Sequence, residues 1–410
     1  MTLSDAVKQA VRHSDRVAIA ESDLTKAKAT LSETRDAYIP SVSVSSGLGA
    51  SSGITLNVPT VFTTNAQSLV FKSSQRDYLR AGHFGVEAAA SSLLEIQQEV
   101  KEDTAATYFS LGNAIERQAV LKEQGVHASR LVQIAGDRLA AGFDTELEEM
   151  KVRKEAAEIE LEKLQLDDRI SSLREHLAGL IGVSQDFTSV SIVISPKWIA
   201  DVTHQLDHPC ISGADIAAAH ADAKAKRETS LGDSRYQWRP QVEFEAQYGR
   251  ISPFNGVSTY YNLQGNYNAL AAGVQIQIPL LDFGRRARAS ASAAEAAHAE
   301  HDALQLDRQD REACGETQHS LAELVAQYNI SQLDYKIAGA EMEETTIRAD
   351  GNETSTARPT TPKEKERALL QVGQKHLDSL AIEGQLLERY IHYLKQTGSL
   401  GAWIATEGQF

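Results

Sequence analysis

Apolar residues at Leu93, Ile96, Val100, Tyr108, Leu111, Ile115, Leu131, Ile134 and Leu139 recur mostly at spacings of three and four, with Glu, Lys, Arg and Gln between them. That period puts one apolar stripe on a long amphipathic helix. A second arm repeats the spacing at Leu147, Met150, Ala157, Leu161 and Leu164, then shifts to Leu166, Ile170, Leu173, Leu177 and Leu180. The shift reads as a stutter in a coiled coil whose two arms pack on each other. No proline falls between Pro59 and Pro196, so the break comes at Ala141 to Thr145, where Gly142 releases one helix and Asp144 or Thr145 caps the next. A helix from about residue 80 to 141 is roughly 90 Å long at about 1.5 Å per residue. The hairpin over 80–181 therefore projects from any compact body.

Elsewhere the period is two. A helix near the start, with Leu3, Ala6, Val7, Ala10 and Val11 on one face, and another over about 14–38 lead to Pro40. Beyond it Val42, Val44, Leu48, Ile54, Leu56 and Val58 hold even positions among Ser, Gly and Thr. This predicts a strand, with a return strand around Ser68 to Phe71. Later, Val242, Phe244, Ala246 and Tyr248 alternate with Gln241, Glu243, Glu245 and Gln247, and Leu270, Ala272, Val274, Ile276, Ile278 and Leu280 alternate with Ala271, Gly273, Gln275, Gln277 and Pro279. A soluble sheet with one wet face and a membrane barrel strand both fit this alternation. Tyr260, Tyr261 and Tyr267 in the intervening Asn/Ser/Gly stretch resemble interfacial aromatics of a barrel loop. On the barrel reading Val242, Phe244, Val274, Ile276 and Ile278 face lipid, and Glu243, Glu245, Gln275 and Gln277 face a wet lumen.

The order helix, strand, strand, long helix occurs twice. Asp15, Lys26, Pro40, Val42 and Gly49 match Asp215, Lys226, Pro240, Val242 and Gly249 at one offset of 200, with Tyr38 opposite Trp238. The expected organisation is two tandem repeats. Residues 1–205 hold a helix, strands near 40–73, the hairpin over 80–181 and the start of a linker over 183–212. Residues 206–410 hold a helix at 214–235, strands near 240–250 and 270–280, and long helices at 284–350 and 363–397.

Composition narrows the function classes. A net charge of -15 argues against a general affinity for nucleic acid or for anionic lipid. Cys210 and Cys314, one in the linker and one in a helix, suggest neither a disulfide framework nor a thiolate zinc site. No window reads as a transmembrane helix, and no signal-peptide core follows Met1; the chain either stays in the cytoplasm or has its signal outside this sequence. His204, Asp207, His208 and Cys210 cluster with one His pair at i, i+4, but Pro209 breaks the helix such a site needs, so no metal is expected. His298 and His301 read as solvated helix positions. Gly47, Gly49 and Gly53 lack the spacing and following helix of a dinucleotide site. With no convergent nucleophile, acid-base pair or metal set, the chain is not expected to be an enzyme or to need a cofactor.

Several segments resemble the TolC family of outer-membrane efflux proteins. They are Leu3 to Val7, Ala37 to Val44, Arg138 to Gly142 followed by Leu147, Ile278 to Arg286, and Leu394 to Trp403. The resemblance implies a mixed α and β membrane protein: a long antiparallel coiled-coil helical barrel joined to a transmembrane β-barrel shared by three protomers, four strands each. It implies a passive exit duct of a tripartite efflux pump or type I secretion system, in the outer membrane with a periplasmic extension. The partners implied are two further copies of the chain, a periplasmic adaptor, an inner-membrane pump and outer-membrane lipid. Gly142, Phe143, Asp144 and Thr145 would form the adaptor-docking tip, and Asp350 and Glu353 would line the periplasmic entrance. Two stretches depart from the family pattern, Phe71 to Gln75 after the second strand and the polar, proline-containing segment from Glu353 to Lys365. A soluble coiled-coil scaffold with a small β domain is the alternative. Stoichiometry follows from the strands: lipid cannot satisfy the open edges of a four-stranded sheet, an eight-stranded closure is filled by its own side chains, and three copies leave room for a lumen.

Overall fold

The computed structural model describes residues 1–46, 60–183, 202, 209–235, 239–251, 268–350 and 361–406. In chain order the elements are α1 (Leu3–His13), α2 (Asp15–Asp36), β1 (Ser41–Ser45), β2 (Thr60–Lys72), α3 (Gln75–Ala140), α4 (Glu146–Ile181), α5 (Ala214–Ser234), β3 (Gln241–Ile251), β4 (Asn268–Gln277), α6 (Phe283–Asp350), α7 (Pro362–Gln396) and α8 (Leu400–Ala405). The architecture is helical with one small sheet. At 66 and 68 residues, α3 and α6 are each roughly 100 Å long.

Two compact units interleave both halves of the chain. One gathers Met1–Ala18, Leu94–Gly213 and Arg308–Phe410. Trp403 is buried there and meets Phe109 at 5.3 Å and Tyr390 at 6.1 Å between ring centroids. Leu3, Ala6, Val7 and Ala10 of α1 are buried in the same unit, and Tyr108 donates its hydroxyl to the Met1 carbonyl at 3.0 Å. Farther along, α3 and α7 are clasped by two buried amides eleven residues apart. Asn113 donates to the Leu380 carbonyl at 2.8 Å and Gln124 to the Leu370 carbonyl at 3.1 Å. Each amide lies over a glycine of α7, Gly384 or Gly373, whose missing side chain makes the room.

The stripe expected to join the two arms is not the one that is buried. Leu147, Met150, Leu161 and Leu164 are more than half exposed. Instead Val152 enters a core with Ala128, Leu131, Ala135 and Leu370, flanked by Val132, Ala156 and Ile159. On α4 only the shifted register follows expectation, with Leu166, Ile170 and Leu177 buried, whereas on α3 Val100, Tyr108, Leu111 and Leu131 of the expected stripe are buried. The reason is geometric: α4 carries apolar residues on two faces, and periodicity alone does not say which face meets the same chain.

The second unit comprises Ile19–Leu93 and Ala214–Asp307 and contains the sheet. Its described strands run antiparallel in the order β1-β2-β3-β4. The helices attached to it lock through side chains: Gln75 donates to the Thr34 carbonyl at 2.5 Å, Tyr78 to Asp233 at 2.7 Å, and Arg235 pairs with the buried Asp77 at 2.7 Å.

One expectation is overturned outright. Cys210 and Cys314 are disulfide-bonded, with Cα atoms 6.3 Å apart, inside the range a disulfide spans. Two cysteines separated by 104 residues carry no spacing signal. What brings them together is the linker, held where the Ile211 amide donates to the Gln396 carbonyl at 3.1 Å.

Candidate functional site

Cross-strand register sorts the sheet into two faces. One carries rows Val42–Ala66–Ala246–Ala272 and Val44–Thr64–Tyr248–Leu270, continuing with Ser68–Phe244–Val274 and Phe71–Val242–Ile276. A register shift between Leu69 and Phe71 returns Phe71 to this face. The opposite face carries Ser41–Gln67–Glu245–Gly273, Ser43–Asn65–Gln247–Ala271 and Leu69–Glu243–Gln275, polar but for Leu69 and the small residues of β4. Gln67 donates to Glu245 there at 3.3 Å. Val42, Val44, Leu270, Val274 and Ile276 are each at least 60% exposed, so no described residue covers the apolar face there. Val242 and Phe244 are half-buried beside them, and Ile278 lies one residue beyond β4, 51% exposed. Among the polar-face candidates Glu245, Gln275 and Gln277 are exposed and Glu243 is half-buried.

The helical tip is built by the chain's local chemistry. Gly142 has φ +77, the left-handed conformation glycine adopts without strain, and the Phe143 amide donates to the Arg138 carbonyl at 2.9 Å. Thr145 caps α4 by accepting from the Glu148 amide at 3.3 Å. Phe143 is 75% exposed, with the Arg138 guanidinium 5.9 Å from its ring centroid. Asp144 differs from its neighbours. Its side chain is only 10% exposed, because Arg138 donates to it at 3.1 and 3.2 Å and Lys363 at 2.7 Å. Those hydrogen bonds, Arg138's first and then Lys363's, hold its carboxyl below the usual range. Asp144 is thus a brace between the first hairpin and the start of α7, not a free docking group. Lys363 is fixed in turn by the capping box of Thr361 and Glu364.

With the two sites described, likeness to known proteins becomes informative. Residues 6–183 match the family model for outer membrane efflux proteins. The cobalt-zinc-cadmium resistance protein CzcC of Cupriavidus metallidurans is 25% identical over 197 residues, 48% of this chain and 44% of that protein. The alignment thus spans less than half of that relative. The fold likeness is broader. The outer membrane protein VceC of Vibrio cholerae superposes with a TM-score of 0.75 at 18% identity, covering 97% of this chain and 96% of that one. The Campylobacter jejuni CmeC outer membrane channel gives 0.76 at 16% identity, covering 99% and 89%. The chain as a whole therefore shares the fold of these two outer-membrane proteins.

Other predicted positions stand as follows. Asp350 is the last residue of α6, whereas Glu353, His204, Asp207, His208, Gly47, Gly49, Gly53, Tyr260, Tyr261 and Tyr267 lie outside the described residues. Cys210 is in the disulfide. His298 pairs with Asp302 at 2.9 Å on the exposed surface of α6. Sequence reasoning missed Lys363, whose partner is distant in the chain, and Glu383. Burial and the neighbouring Glu116 push the Glu383 carboxyl up to about 7, and burial and Glu383 push the Tyr328 hydroxyl up to about 12.

Proposed function

We propose that this protein is a passive outer-membrane duct, a homotrimer that passes its cargo unaltered from a periplasmic tunnel through a shared β-barrel. The observation that carries the reading is the sheet: its apolar face is exposed on β1 and β4 among the described residues, its opposite face is mostly polar, and β1 and β4 are edges. A barrel closed by neighbouring copies satisfies those edges and turns the apolar face to lipid. The helices fit the same scheme. Leu147, Met150, Leu161 and Leu164 of α4, and Ile330, Leu333, Ile337 and Ile347 of α6, form exposed stripes at heptad spacing, suited to coiled-coil packing between copies. The disulfide suits a periplasmic location, where thiols are oxidised. Tandem duplication of the helix-strand-strand-helix unit explains why one chain supplies four strands.

In this scheme Phe143 and Thr145 present the tip to a periplasmic adaptor, which couples the duct to an inner-membrane pump, and Asp350 and Glu353 belong to the entrance. The chain itself carries out no chemical step. Purified protein added to a planar bilayer should give stable conductance steps, and a deletion strain should lose tolerance to pump substrates. Cobalt, zinc and cadmium are the first to assay, given the name of CzcC. Folded oligomer that inserts but never conducts would defeat the proposal.

A further inference from the structure

Where the strands give way to helices, the second unit concentrates positive charge. Lys72 closes β2, Arg239 precedes β3, Arg235 follows α5, and Arg285 and Arg288 stand near the start of α6, all lining one cavity of about 130 Å³ beside Tyr78. Lys72, Gln241 and Gln277 form one row across three strands, so the cations gather at a single end of the sheet. This runs against a composition with a net charge of -15.

Local carboxylates neutralise two of the five cations, Arg235 and Arg285. Asp77 is taken by Arg80 and Arg235, at 2.5 and 2.7 Å, Asp282 by Arg285 at 3.2 Å, and Asp233 accepts from Tyr78 at 2.7 Å. Lys72 lies 5.5 Å from the Tyr78 ring centroid. Among the described residues no carboxylate pairs with Lys72, Arg239 or Arg288. At the start of α6 the Asp282 carboxylate accepts from the Arg285 amide at 2.9 Å and caps the helix. Exposed apolar side chains flank the cations: Phe71 at 48%, Leu281 at 85% and Phe283 at 76%. Uncompensated cations beside apolar groups, at the end of strands with an apolar outer face, match the chemistry of a bilayer's headgroup layer.

We propose that this strand-to-helix junction binds the phosphate of an anionic phospholipid in the leaflet nearest the helices. The proposal rests on the membrane-barrel reading above. Arginine forks pair with phosphate oxygens in two-point contacts, which a zwitterionic headgroup weakens by bringing its own cation.

The test uses the full chain, reconstituted in vesicles of phosphatidylcholine alone or mixed in equal parts with phosphatidylglycerol. Retained lipid is then read by native mass spectrometry in mild detergent. Phosphatidylglycerol should be retained in preference. The double variant Arg239→Gln/Arg288→Gln should lower its binding roughly fivefold for each charge removed, while Lys8→Gln on α1 should leave it unchanged. Inorganic phosphate should fail to displace the lipid; complete displacement would make soluble phosphate the occupant and overturn the lipid assignment. Insertion with equal retention of both lipids overturns this site and leaves the membrane reading standing. Failure to insert into either vesicle overturns both.

Discussion

Asp144 shows how far one carboxylate's role depends on partners remote in sequence. At the turn it reads as an exposed tip residue, yet Arg138 from its own hairpin and Lys363 from α7 enclose it. Its lowered pKa fixes the sign of a pH effect: the brace is present above the unfolded carboxylate range and is lost as pH falls through the folded value. Protection of the amides over 141–149, measured against their intrinsic exchange rates, should therefore fall on acidification below about pH 4, and Lys363→Met should bring that loss of protection to higher pH. An unchanged profile in the variant would mean that Lys363 does not hold the tip. Docking is better probed at Phe143, which braces nothing: Phe143→Ala should preserve assembly and reduce efflux. Glu383 has the opposite sign. Burial first, and Glu116 second, raise its pKa to about 7, so the folded state keeps a proton that the unfolded chain releases, and stability falls as pH rises from about 4.5 to 7. Glu383→Gln should flatten that dependence and stabilise the protein at pH 8 by about 2 to 3 kcal/mol, read from unfolding midpoints across pH.

At the scale of elements, β3 and β4 were the most legible strands because their side chains alternate without interruption, whereas β2, with its register shifts, was legible only near Ser68 to Phe71. Val274 and Ile276 fall on one face and Gln275 on the other, and the register with Phe244, Val242 and Glu243 preserves the division across strands. A lipid-facing position and its neighbour should then respond differently to the same charge. Ile276→Arg should cost about 2 to 4 kcal/mol, whereas Gln275→Arg should be tolerated. Refolding titrations into vesicles measure both, and equal costs would argue against a lipid-facing sheet. The long helices were legible as elements but not as packing partners. A heptad stripe such as Leu147, Met150, Leu161 and Leu164 looks the same whether it meets its own chain or another. The structure leaves it exposed and buries Val152 instead.

For the whole molecule, motifs spread along the sequence pointed to the efflux family because each marks a junction: Pro40 where helix becomes strand, Pro279 to Arg286 where strand becomes helix, Gly142 at the tip. Contacts that close the fold over long separations left no such trace. Cys210 meets Cys314, Gln124 meets Gly373 and Asp144 meets Lys363, and none of these pairs shares a period or a motif. The central claim is that a single chain is an incomplete channel, with sheet edges and helical stripes that only copies of itself complete. Native mass spectrometry of the full chain released from mild detergent tests this most directly. A trimer is predicted, with no long-lived smaller species; a stable monomer or dimer that still conducts ions in a planar bilayer would contradict it.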